Sequence, residues 1–237
     1  MKRHLESKPA AMPGHMERLE RLGRLAAAGA AAAALAVLAT GCATKGVTST
    51  VYDFGPLPAA APASTAPVPA AALPALVVAD VNGPASLDSN RMYYRLLYAD
   101  AQQARPYSQN AWSVTPLQLL TQRLRARLAQ AGVKVLATTD AAVGMPVLRL
   151  EADDFSQNFD SQTRSSGQVS LRASLFRNHR LVDQKTFTRS TEARSADAAG
   201  GARALATSSD AIAADILAWL ATLPQASPQT SQQTASQ

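Results

Sequence analysis

Few residues in this chain could do chemistry. The run Asp153-Asp154-Phe155-Ser156-Gln157-Asn158-Phe159-Asp160 gathers three carboxylates. Paired carboxylates exchange protons and oxygen clusters hold calcium. The spacing is not that of an EF-hand loop, however, and a strand end crowded with solvated acids is the commoner meaning of such a run. His179 stands in a predicted turn with no histidine or cysteine partner for a metal, so it is read as structural. The other two histidines, His4 and His15, lie near the N-terminus. One cysteine, Cys42, leaves no intramolecular disulfide and no Cys-pair metal site. No phosphate-binding loop, dinucleotide fingerprint, nucleophile elbow or H-E-x-x-H motif occurs. The residues therefore point to a non-enzymatic chain with no resident metal or cofactor. A hydrolase using Asp153 or Asp154 is the weakest of the readings.

Cys42 is more informative. Residues 25–39 read LAAAGAAAAALAVLA, with Arg18, Arg21 and Arg24 before them and Ala39-Thr40-Gly41-Cys42 after them. A basic lead, a short apolar run and small residues at its end make an export signal. The run is shorter than the roughly 20 apolar residues of a membrane-spanning helix. Ala39-Thr40-Gly41-Cys42 resembles the bacterial lipobox, departing from it at Ala39, where leucine is commonest. The resemblance implies cleavage before Cys42 and a covalent lipid (diacylglyceryl and palmitate) on its thiol. Each buried methylene contributes about 0.8 kcal/mol, so such an anchor holds essentially permanently. Losing residues 1–41 removes six of the 23 basic and three of the 17 acidic residues. That leaves 17 against 14, a net charge of +3 instead of +6. No dense basic stripe remains, so nucleic acid is not an expected partner. Ala43 follows the cysteine. An aspartate there would resemble an inner-membrane retention signal, so the expected location is the periplasmic face of the outer membrane of a Gram-negative cell.

The elements follow from composition and period. Of 50 alanines, 12 lie in residues 1–41, 9 in 57–75 and 12 in 193–221, so the 47% hydrophobic content overstates the core. Four segments are expected: a signal peptide at 1–41; a lipidated tether, first strand and Ala/Pro linker at 42–75; a folded domain at 76–223; and a disordered polar tail at 224–237. Within the second, Val51–Phe54 is a short strand candidate, and 58–75 reads as a semi-rigid extended linker. Leu76–Val81 and Arg91–Tyr98 are expected strands, and 99–114 an irregular polar stretch. Thr115 caps a helix with Pro116 at its first position and Gln118 completing a capping box. Leu117, Leu120, Leu124 and Leu128 form one helical face, and Gly132 stops it. Lys134–Leu136, Val147–Asp153, Val169–Leu175 and Leu181–Ser190 read as strands, the last two joined by a turn at Arg177–Arg180. Leu205, Ile212, Ile216, Trp219 and Leu223 mark a second helix that Pro224 ends. The fold class is α+β: a mostly antiparallel sheet with two helices packed on one face.

Two surfaces could contact a partner. Tyr93, Tyr94 and Trp112 suit a lipid or protein contact, with core packing the stronger alternative. Arg123 and Arg127 share an outer helix face, with Arg125 to one side. That face could meet lipid phosphates or an acidic partner, with a solvated face the stronger alternative.

The order of these features resembles the ABC-type transport auxiliary lipoproteins, the group that includes paraquat-inducible protein C. The resemblance runs over residues 42–223. It rests on the lipobox, Tyr52-Asp53-Phe54, the proline-rich gap, Leu87-Asp88, Arg91-Met92-Tyr93-Tyr94-Arg95, Tyr107, Trp112 and Pro116 ahead of the leucine helix, the three-strand meander, and Trp219-Leu220. It implies an accessory component of a lipid-transporting ABC system, working with a permease, an ATPase and a mammalian-cell-entry (MCE) domain protein. A homo-oligomer is compatible with it. The rival reading is a carrier that holds an acyl chain between helices and sheet.

Overall fold

The computed structural model describes residues 48–59, 75–140 and 143–223. The expected signal peptide, Cys42, residues 60–74 of the linker, Pro224 and the polar tail lie outside them. Thr48–Gln237 is a compact unit of its own.

Local chemistry sets the first helix, α1 (Pro116–Gln130). The Thr115 hydroxyl accepts from the Gln118 N–H at 3.3 Å, and the Gln118 side chain accepts from the Thr115 N–H at 3.4 Å. At the other end Gly132 adopts φ +91°, where a Cβ would be strained. Its N–H bonds the Ala129 carbonyl, and the Val133 N–H bonds that of Leu128. This is a Schellman close with Leu128 and Val133 both buried beneath it. Thr115→Ala should lower stability by about 1 kcal/mol. A urea titration should show a reduced midpoint with an unchanged slope.

Eight strands form one sheet. They are β1 (Thr50–Tyr52), β2 (Leu76–Val78), β3 (Arg91–Leu96), β4 (Asp100–Trp112), β5 (Val135–Leu136), β6 (Val147–Phe159), β7 (Ser165–Arg177) and β8 (Arg180–Glu192). β6 is the axis. Along one edge it pairs antiparallel with β7, which pairs antiparallel with β8. Its other edge is divided. β2 lies parallel to its start, with Val77 opposite Val147, and β3 parallel to its end, with Tyr94 opposite Gln157. β5 extends the sheet beyond β2, and β4 then β1 extend it beyond β3. The expected meander is therefore present as β6–β8. Its β7–β8 turn places Asn178 at φ 49° and His179 at φ 62°, the mirror-type geometry of a two-residue hairpin.

Two expectations need correction. Residues 99–114 are not irregular: Asp100–Trp112 is strand β4. It hid because its register against β3 shifts twice and Pro106 sits within it, so no clean alternation exists to read. Nor do the acids at 153–160 crowd a strand end. Asp153 and Asp154 lie inside β6, with Asp153 a bulge between Ala152 and Asp154, and only Asp160 follows the last strand residue, Phe159.

Helix α2 (Ala198–Thr222) crosses β7 and β8 and touches α1. It is the one helix among the described residues long and apolar enough to span a membrane, yet its apolar side is the core. Leu205, Ile212 and Ile216 are essentially inaccessible, as are Leu120, Leu124, Leu148 and Leu171 facing them. The expected α+β class, with both helices on one face, is the fold observed.

Candidate functional site

The N-terminal segment, α1 and α2 meet at one carboxylate. Arg123 forks Asp210 with Nε to Oδ1 at 2.6 Å and Nη2 to Oδ2 at 2.8 Å. Arg127 forks the same group with Nε to Oδ1 at 2.7 Å and Nη2 to Oδ2 at 2.6 Å. The spare Nη1 of Arg123 donates to the Gly55 carbonyl at 3.2 Å, and that of Arg127 to the Pro58 carbonyl at 3.4 Å. Gln130 adds a bond to Pro58 at 3.1 Å. Two guanidinium forks on one carboxylate fix α1 against α2 in distance and angle. The same two side chains hold down residues 55–58. Burial would push the Asp210 carboxyl up, but the hydrogen bonds and charges of Arg127 and Arg123 outweigh it and hold the group below the ordinary carboxylate range.

The expected solvated basic face is thus replaced by a bonded one. Arg123 is only 6% exposed, Arg127 18%. Arg125 donates to the Val78 carbonyl and pairs with Asp80 at 2.9 Å. Leucine periodicity locates the sheet-facing side of α1. It cannot show that a second helix covers the neighbouring sector. Asp210 was not singled out from the sequence. The available signal was that Asp210 and Asp215 are the only acids in a helix otherwise rich in Ala and Ser, facing arginines four residues apart.

Beside this clamp lies a cleft of roughly 610 Å³. Its walls include Phe54, Pro56 and Thr191, with the Ala202–Thr207 stretch of α2, Arg194 and Arg203. A polar network closes the nearby start of α2. Gln157, 1% exposed, accepts from the Tyr107 hydroxyl at 3.0 Å. It donates to Ser165 Oγ at 2.8 Å and to the Asp197 carbonyl at 3.0 Å. Burial raises the Tyr107 hydroxyl well above its ordinary value, so it stays a donor. Asp197 caps α2 by accepting from the Gly200 N–H at 2.7 Å. That bond, helped by the Ser195 hydroxyl, lowers its carboxyl.

The aromatic candidates separate. Trp112 is 2% exposed and packs edge-on against Phe54 and Phe155, so it is core and offers no surface to a partner. Tyr94 packs on Tyr107 and Phe159 with ring centres 4.6 and 5.6 Å away. Tyr93 is half-buried opposite Pro106. The acids of β6 are engaged locally: Asp153 with Arg172 at 3.2 Å, and Asp154 accepting from Gln168 at 2.9 Å and Ser156 at 3.0 Å. No cluster of metal-ligating side chains occurs among the described residues.

Comparison with solved structures finds the same fold in protein XCC0632 from Xanthomonas campestris, at 20% identity and a TM-score of 0.58, over 72% of this chain and 94% of that one. An uncharacterised protein matches at 16% identity and a TM-score of 0.55, over 73% of this chain and 99% of that one. No curated protein matches the sequence. The family described as "ABC-type transport auxiliary lipoprotein component" matches residues 56–217, from the clamped segment to the last turns of α2. The chain belongs to that family of ABC-type transport auxiliary lipoproteins.

Proposed function

We propose that this chain is a non-enzymatic docking component of an ABC-type lipid transport system, working with an MCE-domain protein and held by acylated Cys42 at the periplasmic face of the outer membrane. The observation that carries this reading is the family match over nearly the whole folded domain. The lipobox supplies the anchor, and the missing phosphate-binding loop assigns ATP hydrolysis to another subunit. The filled interior supports docking over carriage: an acyl chain between helices and sheet would need the space taken by Leu120, Leu124, Leu128, Leu205 and Ile212.

In-cell crosslinking of the full chain, followed by mass spectrometry of the captured partners, should recover the MCE-domain protein and the permease. Recovery of neither, from cells that make both, refutes the transport role. Lipid extraction of the purified domain should give far less than one phospholipid per chain; a near-stoichiometric yield supports the carrier instead. Separately, Cys42→Ser should abolish the mass increment of the acyl groups and move the protein out of the outer-membrane fraction. Unchanged mass and fractionation would show that Cys42 carries no anchor.

A further inference from the structure

The helix-free face of the sheet is hydrophilic over most of its area. Glu151, Asp153 and Arg172 pair across β6 and β7, and Ser170 bonds Thr188 across β7 and β8. One end departs from this. Phe176 of β7 stands between Val147 of β6 and Leu181 of β8 in the strand register. Arg149 lies over its ring, 4.5 Å from the centre. The loop before β6 adds Val143 and Met145. Val143 is 99% exposed, Leu181 53% and Met145 38%. A cleft of roughly 550 Å³ runs between that loop and the β7–β8 turn, reaching Arg149, Phe176 and His179.

Among the described residues, the charged side chain that lines this cleft is basic. Arg149, His179 and Arg180 are exposed around the apolar residues, and no acid lines the cleft. The carboxylates around it have partners of their own: Glu151, two residues along β6 from Arg149, pairs with Arg172 at 3.0 Å, Asp183 accepts from the Trp219 indole N–H at 2.8 Å, and Asp140 from the Ala137 N–H at 2.7 Å. Exposed aliphatic side chains ringed by guanidinium groups match an interface of hydrocarbon bordered by anionic headgroups. An acidic protein surface would satisfy the arginines but leave Val143, Met145 and Leu181 without apolar cover.

We propose that this end of the sheet, with Val143, Met145 and Leu181 inserted and Arg149 and Arg180 at the headgroups, is a contact for an anionic lipid bilayer. The contact requires neither acylation at Cys42 nor any transport partner, so it stands or falls separately from the proposed function. It would give the domain a second point of membrane attachment, and so a fixed orientation.

The test uses the unit Thr48–Gln237, whose hydrophobic cluster, among the described residues, begins at Tyr52. Its flotation with vesicles of phosphatidylglycerol and phosphatidylcholine is compared with flotation on phosphatidylcholine alone. Binding should require phosphatidylglycerol and weaken with salt. Because the double reversal Arg149→Glu/Arg180→Glu replaces two attractions to the surface by two repulsions, it should weaken binding more than tenfold. Val143→Ser/Met145→Ser, which touches only exposed side chains, should weaken it several-fold. Arg194→Glu/Arg203→Glu alters net charge equally at a distant cleft and should leave most of the binding. Absence of phosphatidylglycerol-dependent binding overturns the proposal, as does an equal loss in the Arg194/Arg203 pair. Capture by polyglutamate without vesicle binding overturns it in favour of an acidic protein.

Discussion

Replacing Asp210 by alanine should lower the stability of the domain by about 3 kcal/mol, the low end for breaking a buried ion pair. The mechanism is asymmetric. The substitution leaves the Arg123 and Arg127 guanidiniums facing each other without a counter-charge, and Arg123 is only 6% exposed. Removing one partner of a buried network costs more than the network contributes over an apolar replacement. In a domain of this size about 3 kcal/mol corresponds to a fall in Tm of roughly 6–12 °C. Asp210→Asn keeps two acceptor or donor positions but not the charge, and should fall between. The pH dependence has a defined sign. Because the folded-state carboxyl is held below its unfolded value, its contribution is complete above the ordinary carboxylate pKa of about 3.9 and is lost as pH falls through the folded value. The gap between wild type and Asp210→Ala should therefore shrink below about pH 4. A gap independent of pH would assign the loss to packing. Amide exchange supplies a local readout at Gly55 and Leu57, the two residues of this Gly-Pro-Leu-Pro segment that carry an N–H: both should exchange faster in the variant, since Arg123 and Arg127 hold the Gly55 and Pro58 carbonyls.

That segment links the clamp to function. Chain passing from Cys42 enters the folded unit through β1, turns at Gly55 and reaches the clamp by Pro58. On the lipoprotein reading, any pull on the anchor arrives at Arg123 and Arg127 after the three paired residues of β1. On that reading the helix pair, and not the short parallel strand alone, would be the mechanical attachment of the domain to its tether.

How far the sequence disclosed this depends on the kind of interaction. Several features written within about six neighbouring residues were legible: the Thr115–Gln118 capping box, the Gly132 stop, the turn at Arg177–Arg180, and the alternation of Val147–Asp153 and Val169–Leu175. Each is a short-range rule in which local residue types suffice. Strand β4 was illegible because it is bonded along β3 with shifted register and is largely exposed, so selection for an alternating pattern is weak there. The arginines of α1 were misread for another reason. A helical wheel reports which residues share a face but not how many neighbours the helix has. Arg123 looks like a surface group until its long-range partner Asp210 is known, whereas core packing, the stronger expectation for Trp112, is what its contacts with Phe54 and Phe155 show. Gln157 follows the same logic: a lone glutamine in a polar run gave no hint that it joins β4, β6, β7 and the start of α2.

A close approach of the helix backbone to the sheet at Gly167 offers the second large effect. At Gly167 of β7 an added Cβ would lie 2.5 Å from the Leu205 nitrogen, 2.8 Å from the Ala204 carbonyl carbon and 2.9 Å from the Ala204 Cβ. Two of these are backbone atoms, so no rotamer change relieves the overlap. In an unstrained strand, Gly→Ala stabilises by about 0.4–1 kcal/mol through the unfolded chain. Here α2 must instead retreat by several tenths of an ångström along a seam tied at defined points. Ser208 donates to the Gly167 carbonyl at 2.7 Å and bonds Thr191 at 2.8 Å; Arg189 forks Asp215; Trp219 bonds Asp183. Overpacking of this kind costs about 1–3 kcal/mol or more and outweighs the entropic gain. Gly167→Ala should therefore destabilise by about 2 kcal/mol and Gly167→Val by more. The loss should be visible as faster amide exchange in the first half of α2, with β2 and β5 unaffected. If Gly167→Ala proves neutral or stabilising, the helix has room to move, and the ties through Ser208, Asp215 and Trp219 are not holding α2 at a fixed distance from the sheet.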